Sequence, residues 1–154
     1  MNKQEVLTSD FIHYGSGNFC IERFNHITKK DEYTKPRSGG LWASIYGKDG
    51  GWESWCEAEH YDKYNHKESA FFKFKLKPNT NLLYIDDGCI VSDYKAKKKL
   101  FDKLNYIDWY KVSQDYDAVY FDLTENYSLY MDFYGVDCDS ICVFNPDCIE
   151  EVFD

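Results

Sequence analysis

No apolar run in this chain approaches the length that crosses a bilayer, so no membrane-spanning helix is expected. The start, MNKQEVLTSD, is polar and lacks the apolar centre of a secretory leader. A cytoplasmic setting is therefore expected, with Cys20, Cys56, Cys89, Cys138, Cys142 and Cys148 reduced and mostly buried as small hydrophobes. There is no Cys-x-x-Cys pair. Cys138 and Cys142 have no histidine near them, and His26, His60 and His66 are scattered without ligand spacing, so no metal site is expected. Proline and glycine are scarce, at 3 and 9 of 154 residues, which argues against a disordered or low-complexity chain. Positive charge is also in short supply. The 18 Lys and Arg against 27 Asp and Glu leave a net charge of -9, which repels phosphate backbones and disfavours general nucleic-acid binding. A small anionic ligand in a local pocket stays open, because backbone N–H groups can hold it.

Aromatic residues, by contrast, are abundant. They make up 19% of the chain, with 14 tyrosines, 11 phenylalanines and 4 tryptophans, so core and pocket walls should be rich in rings. The length fits one domain spanning residues 1–154, enough to bury a core without staples.

The organisation follows from local patterns. Segments 29–40 (KKDEYTKPRSGG) and 46–51 (YGKDGG) read as loops, and Lys77-Pro78-Asn79 as a tight break. Strands are expected at 10–14, 41–45, 70–76, 81–86, 117–123, 128–133 and 140–144. In the third of these, Phe72, Phe74 and Leu76 alternate with Lys73 and Lys75, and the short break after it suggests pairing with the fourth. One helix is expected over Gly51–Tyr61, where Trp52, Trp55, Cys56 and Glu59 share a face. A second is expected from Ser92 as N-cap to about Tyr106, with Ala96, Leu100, Phe101 and Leu104 as its apolar stripe. About seven short strands and two helices make an α+β fold with a mostly antiparallel sheet.

Three segments carry chemistry-bearing residues. Ile12-His13-Tyr14-Gly15-Ser16-Gly17 ends a strand in polar rings and glycines, which lets backbone approach a ligand closely; taken alone, it reads more simply as a strand followed by a turn. Lys35-Pro36-Arg37-Ser38-Gly39-Gly40-Leu41-Trp42-Ala43-Ser44 opens a strand with two glycines and suits a flat aromatic ligand stacked on a ring, with the Arg and Ser nearby for its polar groups; Trp42, Trp52 and Trp55 read equally as a core cluster. Asp137-Cys138-Asp139 stands at the entrance to an apolar strand. If extended structure begins early, both carboxylates share a face and suit a sugar hydroxyl or a general base; a solvated turn is the other reading.

The order of these three segments resembles the ADP-ribosyltransferase superfamily. It is most similar to the branch with a His-Gly-Ser first motif, which includes the poly-ADP-ribose polymerases and small bacterial and phage transferases. The resemblance spans about residues 10–149 and rests on short motifs. It implies a split, mostly antiparallel sheet, and NAD as the bound nucleotide. It also implies transfer of ADP-ribose to a protein, nucleic-acid or small-molecule acceptor by a toxin-like or phage counter-defence effector acting on a host protein. Gly15 matches the glycine that bonds the nicotinamide amide. The family's histidine aligns with Tyr14, with His13 one position earlier, so either Tyr14 substitutes or a bulge brings His13 in. Ser16 completes the first motif. Trp42 matches the ring that stacks on nicotinamide, and Ser44 flanks the ribose. Asp139 or Asp137 stands where the family places a glutamate. An alternative is a module that binds an ADP-ribose-like nucleotide without chemistry, and a further one is an acidic inhibitor that blocks a basic partner.

Overall fold

A computed structural model describes residues 1–59, 69–96 and 106–153 of the chain. Among them the strands are β1 (Phe11–Tyr14), β2 (Glu32–Tyr33), β3 (Leu41–Ile45), β4 (Phe71–Leu76), β5 (Leu82–Ile85), β6 (Ile107–Asp108), β7 (Ala118–Phe121), β8 (Ser140–Val143) and β9 (Ile149–Val152). The helices are α1 (Lys3–Leu7), α2 (Trp52–Ala58), α3 (Trp109–Asp115) and α4 (Ser128–Asp132). Seven strands form one sheet in the order β5-β7-β8-β3-β1-β4-β9, and β2 pairs with β6 as a separate ribbon. Every neighbour pair in the large sheet is antiparallel except β5 with β7. The architecture is therefore α+β with a mostly antiparallel sheet, as the sequence pattern predicts.

The centre of the sheet explains its apolar strands. All four residues of β7 and all four of β8 are buried. Val119 and Phe121 of β7 and Cys142 of β8 join one core with Trp109 and Val112 of α3 and with Leu129 of α4 and its cap Phe133. Ala118, Tyr120, Ile141 and Val143 join the other, with Val6 of α1, Phe11 and Phe74. Alternate side chains thus feed two cores on opposite faces, and a strand covered on both sides reads as a continuous apolar run. β4 is covered on one side: Phe72, Phe74 and Leu76 are buried while Phe71 and Lys75 are exposed.

Elements α1, α3, β2, β6 and β9 are not among those expected, and three of the expected features are not found. β4 and β5 do not pair. β4 lies between β1 and β9, and β5 sits at the far edge beside β7, from Leu82 opposite Ala118 to Ile85 opposite Phe121. Residues 128–132 form α4, capped by Phe133, and not a strand. Leu129 and Phe133, four apart, enter the core, the Phe133 N–H donates to the Leu129 carbonyl at 2.9 Å, and Met131 between them is 62% exposed. Ser92 does not begin a helix: it lies inside a 3-10 turn over Gly88–Tyr94, whose N-cap is Asp87, accepting from the Cys89 N–H at 2.8 Å. The rest of that expected helix, residues 97–105, lies outside the described residues, as do His60, Tyr61 and His66. No helix among the described residues is long and apolar enough to cross a membrane.

Candidate functional site

β1 and β3 form a fork. Their ladder runs only through Phe11 opposite Ile45 and Ile12 opposite Ser44. Beyond that, β1 continues along β4, and Leu41–Ala43 of β3 pairs with β8 instead. A cavity of about 380 Å³ opens where the two strands part.

β1 supplies Ile12, His13, Tyr14 and Gly15 to this cavity. Alternation places Ile12 and Tyr14 on one face, and His13 on the face that pairs with Phe72. The His13 ring nevertheless reaches the fork, where its Nδ1 lies 2.6 Å from the Trp42 carbonyl oxygen. A carbonyl only accepts, so Nδ1 carries the proton and Nε2 is left as an acceptor. Burial lowers the His13 pKa and the bond to Trp42 partly opposes this, so the ring is neutral near pH 7. Nε2 lies 4.0 Å from where a Cβ on Gly15 would stand. The Tyr14 pKa is raised, first by burial and then by the Glu53 carboxylate of α2, to which its hydroxyl is hydrogen-bonded. Gly15 has a φ of +115°, and its N–H already donates to the Ala70 carbonyl at 2.8 Å. Ser16 does not line the cavity, and its hydroxyl donates to the Asn18 carbonyl at 2.8 Å.

β3 supplies Trp42, Ala43 and Ser44. Trp42 stacks on Phe121, with centroids 5.8 Å apart and planes 14° apart. Trp52, also on the cavity wall, stacks on Trp55 at 5.1 Å. The tryptophans thus form two separate stacks, and the fully buried one is Trp109. Gly40, with a φ of +85°, serves packing and not a ligand: a Cβ there would lie 2.5 Å from the Cys142 Sγ. Ser44 is 1% exposed, and its Oγ has no hydrogen-bond partner among the described residues. A buried hydroxyl without a partner carries a desolvation cost that a ligand can relieve.

The two acids of the third segment separate. Asp137 is exposed and lines the cavity. Asp139 is 0% exposed and does not line it. Its Oδ1 accepts from the N–H groups of Leu123 at 2.7 Å and Thr124 at 3.0 Å, and its Oδ2 accepts from the Thr124 hydroxyl and from Lys48 Nζ at 2.8 Å. The Asp139 N–H donates to the Gly50 carbonyl at 2.9 Å. Extended structure begins at Ser140, so the carboxylates do not share a face as an earlier strand start would require. Asp139 ties three chain segments together and Asp137 alone meets the cavity.

The head of β8 presents Ser140 instead, its hydroxyl donating to the Cys138 carbonyl at 2.8 Å. Lys35 also lines the cavity. The sequence signals for these two are faint, since Lys35 sits in a charged loop and Ser140 reads as a strand residue. Among the described residues, no group of three or more His, Cys, Asp or Glu is placed to hold a metal ion.

Comparison with protein-family models, with characterised proteins and with solved structures finds no match for this chain.

Proposed function

We propose that the cavity binds the nicotinamide-ribose end of NAD and that the protein is an ADP-ribosyltransferase. The observation that carries this reading is the fork between β1 and β3, closed by the His13 bond to the Trp42 carbonyl, around which Tyr14, Gly15, Trp42, Ser44 and Asp137 meet from three distant segments. When bound, NAD supplies a glycosidic bond whose cleavage releases nicotinamide and leaves the ribose C1′ open to an acceptor. Trp42 stacks on the flat ring. The Gly15 carbonyl would accept from the ring's amide, and the Ser44 hydroxyl, which has no partner among the described residues, would bond the same amide. His13 Nε2 accepts from a ribose hydroxyl. Asp137 at the rim stabilises positive charge developing on the ribose, a contribution on the order of 10²–10⁴-fold for a positioned acid–base group.

A second reading, binding without turnover, is favoured by one observation: the buried carboxylate, Asp139, is fully engaged by Lys48 and Thr124, while Asp137 is solvated at the rim. One experiment separates the two. Purified protein is incubated with NAD, alone and with candidate protein acceptors, and free nicotinamide is followed by chromatography while binding is measured by calorimetry. Nicotinamide release above the buffer rate supports transfer. Binding with NAD intact over hours supports the second reading, and neither binding nor release rejects both.

A further inference from the structure

The loop between β2 and β3, which brings Lys35 to the cavity, is tied down at several points. Asp31 is 1% exposed, and its Oδ2 accepts from the Arg37 N–H at 2.9 Å, the Ser38 N–H at 2.8 Å and the Ser38 hydroxyl at 2.6 Å. The Thr34 hydroxyl donates to the Tyr134 carbonyl at 2.5 Å. Between these ties Lys35 lies along the cavity wall, its Nζ donating to the Gly135 carbonyl at 3.0 Å. Gly135 has a φ of +98°, and a Cβ there would stand 3.0 Å from Lys35 Cε and 3.2 Å from Cδ. A glycine at this position therefore lets the lysine stem lie flush against the backbone.

The ammonium so placed lies over the Trp42 ring, 5.9 Å from its centroid. Phe121 stacks on Trp42 from outside the cavity, since it is not part of the cavity wall. A ligand stacked on Trp42 would therefore lie close to the Lys35 ammonium. The other charges near the cavity are carboxylates engaged elsewhere or at its rim: Glu53 is bonded to the Tyr14 hydroxyl, Asp31 to Ser38 and the Arg37 N–H, and Asp137 is exposed, while His13 is neutral.

We propose that Lys35 sets the charge selectivity of the cavity, so that a flat ring carrying no charge or a negative charge stacks on Trp42 in preference to a cationic ring. The inference rests on the ring-stacking reading above and sharpens it. A pyridinium ring stacked on Trp42 lies close to the Lys35 ammonium, and two like charges so placed repel. The released neutral nicotinamide is then held better than the cationic ring it derives from, which makes Lys35 a specificity-determining residue that resists the substrate's ring.

Three probes of nearly one shape test this: nicotinamide, nicotinate and 1-methylnicotinamide, neutral, anionic and cationic. Their affinities are measured by calorimetry or ligand-observed NMR on the full chain and on Lys35→Met. The wild-type protein is expected to bind the cation about tenfold more weakly than the neutral ring, the size expected for one partly screened like-charge contact. Nicotinate is expected to bind at least as tightly as nicotinamide. In Lys35→Met the neutral-to-cation ratio is expected to fall to about twofold or less, and in Lys35→Glu the order should invert. If Lys35→Met does not fold, the wild-type order still decides, because a cation bound as tightly as the neutral ring overturns the proposal. An unchanged ratio in folded Lys35→Met overturns it too and leaves the ring pocket standing. Failure of all three rings to bind removes the pocket reading and this inference together.

Discussion

The imidazole of His13 donates from Nδ1 to the carbonyl of Trp42 across 2.6 Å, at the point where the strands carrying the two residues stop pairing. A side chain here replaces a rung of the ladder. The carbonyl of a strand leaving its neighbour would otherwise meet no donor from β1, and a buried carbonyl without a partner costs about 1–3 kcal/mol. The same bond orients Nε2 as an acceptor beside Gly15, so one contact holds the fork and prepares the cavity.

His13 should make stability depend on pH. Its folded pKa lies below the unfolded value, mainly through burial. The unfolded chain then binds the extra proton first, so the His13 contribution is complete above about pH 6.5, the ordinary histidine value, and declines as pH falls below it. Urea midpoints at pH 7.5, 6.5 and 5.5 should fall in that order. His13→Asn keeps an amide donor near the Nδ1 position without a titrating ring, and should flatten the slope. An equal slope in the variant would show that another group is responsible.

Asp139 and Asp137 should behave oppositely, although they stand two residues apart. Asp139→Ala removes the buried carboxylate of a half-buried ion pair and strands the N–H groups of Leu123 and Thr124. The expected cost is about 3–5 kcal/mol, read as a lowered urea midpoint. Asp137→Asn should leave that midpoint unchanged and reduce nicotinamide release or NAD affinity. A stable Asp139→Ala protein that has lost only activity would reverse the roles given to the two acids.

Most of the sheet was legible because its strands obey local rules. The alternation of Phe72, Phe74 and Leu76, and the unbroken apolar runs around Val119 and Ile141, follow directly from one-sided and two-sided cover. Partners were less legible. The break at Lys77-Pro78-Asn79 suits a hairpin, yet β5 pairs with β7, more than thirty residues away, a choice made by core packing and not by the turn. In the site, glycine and ring patterns brought His13, Tyr14, Gly15, Trp42 and Ser44 to one cavity. Asp139 misled because a carboxylate that binds ligand and one that ties loops look alike until its donors are known. Lys35 is held at the cavity by a bond to Gly135, a hundred residues distant, which no local pattern signals.

α4 shows how a two-residue period deceives. Leu129, Met131 and Phe133 alternate as a strand would, but Leu129 and Phe133 also stand one helical turn apart. Leu129→Ala should cost about 2–5 kcal/mol, as for a large aliphatic side chain lost from a packed core. Met131→Lys should be nearly neutral, because its side chain is largely in solvent. Thermal denaturation of both variants checks this, and equal losses at the two positions would favour a strand with both side chains in the core.

Ser44→Ala separates stability from ligand binding. The wild-type hydroxyl is buried without a hydrogen-bond partner among the described residues, so the fold bears its desolvation cost and receives no bond in return. Replacing it with a methyl group removes that cost and leaves the shape of the cavity wall nearly unchanged. The variant should be as stable as the wild type or more stable by up to about 1–3 kcal/mol. If the hydroxyl is instead held for a ligand, the same change should weaken binding of nicotinamide by roughly 5–13-fold, the loss of one hydrogen bond worth about 1–1.5 kcal/mol. Gained stability with lost affinity is the signature of a group kept for function. Lost stability with unchanged affinity would mean that Ser44 serves the fold, and the floor of the cavity would then need another polar group to meet a ligand.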